Sequence, residues 1–294
     1  MSLRIAHIVV LGSLLICGCR RHDPSPTNLV DAAQQGDIRA VGIFLSKGAD
    51  ANIPGPNGRS AMEAAVIRPD NSGVIELLIQ HGANVNKAAN GAPPLVLADD
   101  SNVRQLVLAG ADVNWRGPNG GSVPGAAVQS RRNPSLIRLL LDKGANPNPP
   151  NVPLILSASQ QDEAVVVGLL IRSGTKLGDD HGGAALNAAV HHCDIELVHI
   201  LLDAGADAKW CDEHQNGLLA KAIVYPQASE VIEALIAAGA DVNQANDAGE
   251  TPLWLCRKTG ANPAIGEVLG AAGAVARDPQ EVLKARRKVG AIGN

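Results

Sequence analysis

The densest set of ligand-type side chains in this chain is His191, His192, Cys193 and Asp194, followed by His199, Cys211 and His214. Imidazole, thiolate and carboxylate groups at such spacings suit a tetrahedral zinc site, provided the fold brings the two halves of the set together. Two glycine-rich stretches, PGPNGRS at 54–60 and GPNGGSVPG at 117–125, invite a phosphate-binding reading. Neither ends in the Gly-Lys-Ser/Thr that supplies a phosphate loop with its lysine and its magnesium-binding hydroxyl. Ser122 stands between Gly121 and Val123 and lacks the Gly-x-Ser-x-Gly elbow that exposes a nucleophile. Whether any of these residues does chemistry depends on the elements that place them.

Two more cysteines, Cys17 and Cys19, close the first apolar run. One basic residue, Arg4, precedes Ile5 to Ile16, a stretch interrupted by His7, Gly12 and Ser13. About twelve residues reach roughly 18 Å as a helix, short of the ~20 residues that span a bilayer, so the proportions are those of a signal peptide. The sequence ICGCRR that ends it resembles the lipobox of bacterial lipoproteins, with the small residue Gly18 directly before the acylated cysteine. That resemblance implies a signal peptide over residues 1–18, lipidation of Cys19, and a short tether over 19–27. Arg20, where an aspartate would favour retention at the inner membrane, points to the periplasmic face of the outer membrane. The alternative is an ordinary cleaved signal peptide whose cysteines are incidental.

Removal of residues 1–18 takes away Arg4 alone among the charged side chains and leaves 24 Lys and Arg against 29 Asp and Glu, a net charge of −5. A nucleic-acid partner would call for a concentrated basic face, which this balance does not provide. Aromatic residues make up 2% of the chain, too few for a mixed globular core, whereas small aliphatic residues suited to closely approaching helices are abundant. High Gly and Pro without a collagen period direct attention to internal repeats.

The repeats are evident. SKGADAN, QHGANVN, LAGADVN, DKGANPN, RSGTKLG, DAGADAK, AAGADVN and AAGAVAR place glycine at 48, 82, 110, 144, 174, 205, 239 and 273, at intervals of 34, 28, 34, 30, 31, 34 and 34. Each glycine follows an apolar stretch with helical recurrence, such as SLIRLLLDKG or IELVHILLDAG, and a shorter Ala-rich segment precedes that. The pattern predicts an all-α chain of about eight helix-turn-helix units joined by hairpin fingers. One unit cannot bury its own apolar stripe, but stacked neighbours can.

These units resemble the ankyrin repeat. AALNAAVHHCDIELVHILLDAGADAKW at 184–210 follows that family's pattern without a gap, and TPLW at 251–254 keeps its Thr, Pro and Leu with Trp254 in place of His. The resemblance implies a repeat domain over residues 28–276 and a capping helix or tail over 277–294. It implies that Thr opens the first helix of a unit with its hydroxyl tied to the turn, and that Gly ends the second helix with positive φ. Ala65, Ala127 and Ala189 occupy positions where facing helices come too close for larger side chains. Repeat three is short, with Asp99 to Asn102 expected to break its helix. Longer turns are expected at 68–73, 131–135, 225–229 and 259–263.

In this alignment His191 to Asp194 lie at a turn between helices, whereas Cys211 and His214 lie on a finger at the opposite end of a helix pair some 15 Å long, which argues against a metal site. No catalytic residue, metal or cofactor is called for. Cys193, Cys211 and Cys256 are expected as free thiols or with one adventitious disulfide. The resemblance implies binding to another protein through the finger tips and the groove-facing side of the first helices. The candidates are Trp115 with Arg116, and Trp210 with Asp212 and Glu213. The competing account of each Trp is packing on its own hairpin or on a neighbouring finger. Later fingers are acidic at Asp179, Asp180, Asp212 and Glu213, and earlier ones carry Lys87 and Arg116. The resulting expectation is a membrane-tethered binding scaffold outside the cytoplasm, such as an immunity protein that neutralises a secreted toxin, for example a lipase. A periplasmic adaptor in oxidative-stress resistance is the alternative, and a periplasmic hydrolase a more remote one.

Overall fold

The computed structural model describes residues 26–88, 91–117, 120–149, 153–178 and 180–290, with the side chains of 288–290 set aside. The expected signal peptide and the lipidated Cys19 lie outside the described residues, as does Asp179. Among the described residues there are helices and isolated bridges but no strands.

Eight helix pairs follow one another. They are α1 (Leu29–Gln35) with α2 (Ile38–Ser46), α3 (Ala61–Val66) with α4 (Ser72–Gln80), and α5 (Pro94–Leu97) with α6 (Asp100–Leu108). Next come α7 (Val123–Gln129) with α8 (Pro134–Asp142), α9 (Leu154–Gln160) with α10 (Ala164–Arg172), and α11 (Asp180–His192) with α12 (Ile195–Asp203). The series closes with α13 (Leu218–Ala222) and α14 (Ser229–Ala237), α15 (Pro252–Thr259) and α16 (Pro263–Ala271), and a final helix, α17 (Pro279–Gly290). Every second helix has nine residues, whereas the first helices run from four to thirteen. The irregular intervals between the glycines therefore arise in the first helices, the turns and the fingers.

Contacts divide the chain into two compact units between Asp112 and Val113. Within the first unit α1 packs on α3 and α3 on α5, while α2 packs on α4 and α4 on α6. The second unit repeats that scheme, with one row from α7 to α15 and another from α8 to α16. Leu78, Leu106, Ile137, Leu170, Leu197 and Leu201 of the second helices are buried, and burying such a side chain is worth about 1.5–3 kcal/mol. Ala65, Ala127 and Ala189 of the first helices are buried as well, with 0, 3 and 0% of their surface exposed, as the close approach of neighbouring helices requires.

Helix ends are secured by polar side chains. Asp37, Ser60, Asp99, Ser122, Asn133, Asp194 and Asn262 each accept a hydrogen bond from a backbone N–H of the first turn they precede. Ser60 and Glu63 form a reciprocal capping box at α3, with Glu63 fully buried. Asp99 therefore starts α6 rather than breaking a helix, and α5 is a single turn. Thr251 departs from the expected role: its hydroxyl donates to the Val275 carbonyl at 3.0 Å and makes no cap bond at α15. The eight repeat glycines all have φ between +79° and +92°, two residues past each second helix. This left-handed turn satisfies the last carbonyls of the helix and redirects the chain into the finger.

A ladder of asparagines joins successive fingers. Asn52 Nδ2 donates to the Gly82 carbonyl at 2.9 Å, and its Oδ1 accepts from Asn84 N–H at 2.7 Å. Asn86 repeats this with Gly110 and Asp112, Asn114 with Gly144 and Asn146, Asn148 with Gly174 and Lys176, and Asn243 with Gly273 and Val275. Each carboxamide spans two repeats with one donor and one acceptor. Gly178 and Lys209 stand at the two positions where the ladder is interrupted.

Candidate protein-binding surface

Trp115 is half-buried on the finger before α7. Arg116 and Ser122 form an antiparallel bridge that closes this hairpin, and Gly117 N–H donates to Gly121 O at 2.8 Å. The indole lies over Gly117: an added Cβ there would stand 3.2 Å from Trp115 Cη2. Arg116 is exposed beside it. Within this glycine-rich stretch Gly117 and Gly121 pair across the hairpin, and the Ser122 hydroxyl oxygen accepts from Gly125 N–H at 3.1 Å as the cap of α7. The stretch at 54–60 is also a turn, with Gly55 N–H donating to Arg59 O.

Trp210 is half-buried on the finger before α13, a hairpin closed by a bridge between Cys211 and Gly217. Its indole packs on Gly183 in the first turn of α11, where a Cβ would fall 2.1 Å from Cδ1. Asp212 is an organiser of the same loop. It pairs with Lys221 Nζ at 2.7 Å and accepts from His214 N–H and Asn216 N–H, both at 2.9 Å. Burial pushes its carboxyl up, but Lys221, Asn216 and His214 outweigh that effect and hold it well below the usual carboxylate range. Glu213 is exposed and faces His214 at 3.6 Å. Of the acidic candidates, Glu213 projects into solvent while Asp212 is committed to its own finger.

The polar set extends to the next finger. Asn246 Nδ2 donates to Asn216 Oδ1 at 3.1 Å and to Glu250 at 3.2 Å, and Glu250 pairs with Lys258 at 2.6 Å. Lys258 also lies 4.7 Å from the centre of the Trp254 ring. Arg286 of α17 donates to the carbonyls of Ala245 and Asn246 at 2.6 and 2.9 Å, which docks the final helix on this finger as a cap.

A cleft of about 350 Å³ opens between α11 and α13. Val190, Ala220 and the exposed Val224 form its apolar part, and His191, Asn216 and Lys221 its polar part. His191 Nδ1 meets the Tyr225 hydroxyl at its edge.

The Cys and His set divides as the repeat spacing predicts. Cys193 occupies the left-handed turn after α11 with φ +54°, Asp194 caps α12, and His192 contacts the Gln160 carbonyl at 3.1 Å. Cys211 and His214 belong to the finger. Among the described residues no group of three or more His, Cys, Asp or Glu is arranged to hold a metal ion. Cys193, Cys211 and Cys256 are free thiols. Burial pushes the Cys193 and Cys256 thiols up, away from the thiolate a nucleophile requires. At the turn before α10, burial and the Asp194 carboxyl raise Asp162, opposed by His192 and Arg131.

A model of the family described as ankyrin repeats (3 copies) matches residues 29–117 and 103–212. The chain belongs to the ankyrin-repeat family. Ankyrin repeat and SOCS box protein 6 of Homo sapiens is 28% identical over 206 residues, 64% of this chain and 45% of that protein. The chain thus spans less than half the length of this relative. The ankyrin repeat protein YahD of Escherichia coli is 29% identical over 196 residues, 62% of this chain and 97% of its own length. The crystal structure of the human ASB11 ankyrin repeat domain superposes with a TM-score of 0.57 at 24% identity, covering 72% of this chain and 98% of that domain, a likeness of fold. Ankyrin repeats as a family serve as protein–protein interaction scaffolds. Sequence reasoning located the finger residues but missed the asparagine ladder, although its signal, Asn four residues after the repeat glycine, is present in five of the eight repeats.

Proposed function

We propose that this ankyrin-repeat chain is a lipid-anchored scaffold outside the cytoplasm, held at the periplasmic face of the outer membrane through Cys19, where it binds and neutralises a secreted antibacterial toxin such as a lipase. The observation that carries the binding surface is the pair of half-buried tryptophans, Trp115 and Trp210, on finger hairpins. An indole offers a large contact area with two torsions to fix, and Arg116 and Glu213 supply exposed charge on the same two fingers. The short apolar run ending in Gly18 and Cys19 supports the tether. Several acyl chains at ~0.8 kcal/mol per buried CH2 make a durable anchor.

Affinity capture from a periplasmic extract supplies the partner, and calorimetry with Trp115→Ala and Trp210→Ala tests the surface. Loss of a hot spot costs roughly 2 kcal/mol, about thirtyfold in affinity. Wild-type affinity in both variants refutes the finger site. Palmitate labelling that disappears in Cys19→Ser and persists in Cys17→Ser establishes the anchor, and the reverse pattern refutes it.

A further inference from the structure

The five complete rungs of the asparagine ladder show what the finger backbone binds: a carboxamide that donates to the repeat glycine's carbonyl at 2.8–3.3 Å and accepts from the N–H two residues later at 2.7–3.0 Å. In the sixth repeat the residue at the asparagine position is Lys209. Across the junction it would serve, the Gly239 carbonyl and the Asp241 N–H are exposed and have no hydrogen-bond partner among the described residues. Asp241, next but one to Gly239 in the chain, also lines a cleft of about 110 Å³ whose other walls include Lys209, Trp210, Leu218, Ala240 and Gln244.

We propose that this junction is a docking site for an asparagine side chain carried on an extended segment of a partner protein, which completes the rung between the sixth and seventh fingers. The chemistry of the occupant follows from the other five rungs, where one planar group with a donor and an acceptor meets the same two backbone atoms. The space suits it, since a carboxamide is about the size of two water molecules of ~30 Å³ each. Trp210 stands on the same cleft and gives the residues flanking the asparagine an apolar wall. Lysine, a donor without an acceptor, cannot complete the rung from within the chain. Gly178 interrupts the preceding rung, so two successive finger junctions lack an internal carboxamide. The proposal deepens the finger-binding reading and rests on it.

The test uses the full chain, labelled with nitrogen-15, and the synthetic peptide Ac-ADVNW-NH2, whose sequence is that of residues 111–115. Addition of the peptide shifts the Ala240 and Asp241 amide resonances saturably, and the control peptide Ac-ADVLW-NH2 binds about tenfold more weakly, as expected for the loss of two hydrogen bonds. Lys209→Asn builds the rung internally, raises the denaturant midpoint and abolishes the peptide response, while Lys209→Ala retains the response. Equal responses to the two peptides reduce the effect to apolar contact at Trp210 and overturn the proposal. An unchanged response in Lys209→Asn, a lowered midpoint in that variant, or a lost response in Lys209→Ala overturns it as well. These outcomes are distinct from the partner affinities of the tryptophan variants, which test the finger surface itself.

Discussion

The indole of Trp210 occupies the space that a side chain at Gly183 would need: an ideal Cβ there falls 2.1 Å from Cδ1 and 2.2 Å from Cγ. Glycine at this point of α11 is what lets the finger lie back on the preceding repeat. Gly183→Ala is therefore expected to destabilise the fold by about 1–3 kcal/mol through overpacking and to displace the ring. A denaturant melt followed by tryptophan fluorescence checks both effects, with Trp210→Ala in the same background as the relief variant. If Gly183→Ala melts like the parent chain, this packing contact does not hold the finger in place.

Gly205 and Gly117 separate two uses of glycine. Gly205 has φ +92° and open space around its Cα, so a side chain there meets backbone strain rather than a clash. At Gly117 a side chain meets the movable Trp115 ring at 3.2 Å. Gly205→Val is expected to cost about 1 kcal/mol or more through the left-handed conformation, and Gly117→Val less. Urea midpoints that come out equal, or in the opposite order, contradict this ranking.

Each rung of the asparagine ladder gives its finger junction two hydrogen bonds. Asn148→Ala removes the donor to Gly174 and the acceptor of Lys176 N–H, and about 1 kcal/mol of stability is expected to go with them because both groups are solvent-accessible. Hydrogen exchange at the Lys176 amide should accelerate in the same variant. Protection equal to that of the parent chain would show that the rung is not what shields it.

Asp212 makes an acid-labile contribution. Its folded carboxyl sits well below the unfolded value of about 3.9, so its stabilisation is fully present above that pH and is lost as the pH falls through the depressed range. Glu250, lowered by Lys258, acts in the same direction. Asp162, raised by burial and Asp194, has the opposite sign and favours folding as it takes up its proton. Asp212→Asn should lower the midpoint at pH 7, and the difference from the parent chain should narrow toward pH ~2. A difference that stays constant with pH would assign the effect to packing instead of charge.

Local signals made much of the architecture legible. The recurring glycines, the apolar stretches ahead of them and the alanines of the first helices define the eight helix pairs, because left-handed turns and close helix contacts admit few residue types. The same register separated Cys193 from Cys211 and thereby argued against a zinc site. Lys209, an ordinary surface residue in the sequence, gains its meaning from the five carboxamides at equivalent positions. What only the tertiary structure decided lies in contacts between elements, both within a repeat and from one repeat to the next. Trp210 finds Gly183 of the preceding unit, Asp212 is committed to Lys221, and the Thr251 hydroxyl goes to Val275 rather than to its own helix. Repeat periodicity specifies each unit through short-range backbone and packing constraints. Contacts at separations of nine to about thirty residues depend on how finger meets finger, and a linear pattern does not encode which exposed polar group is already spent.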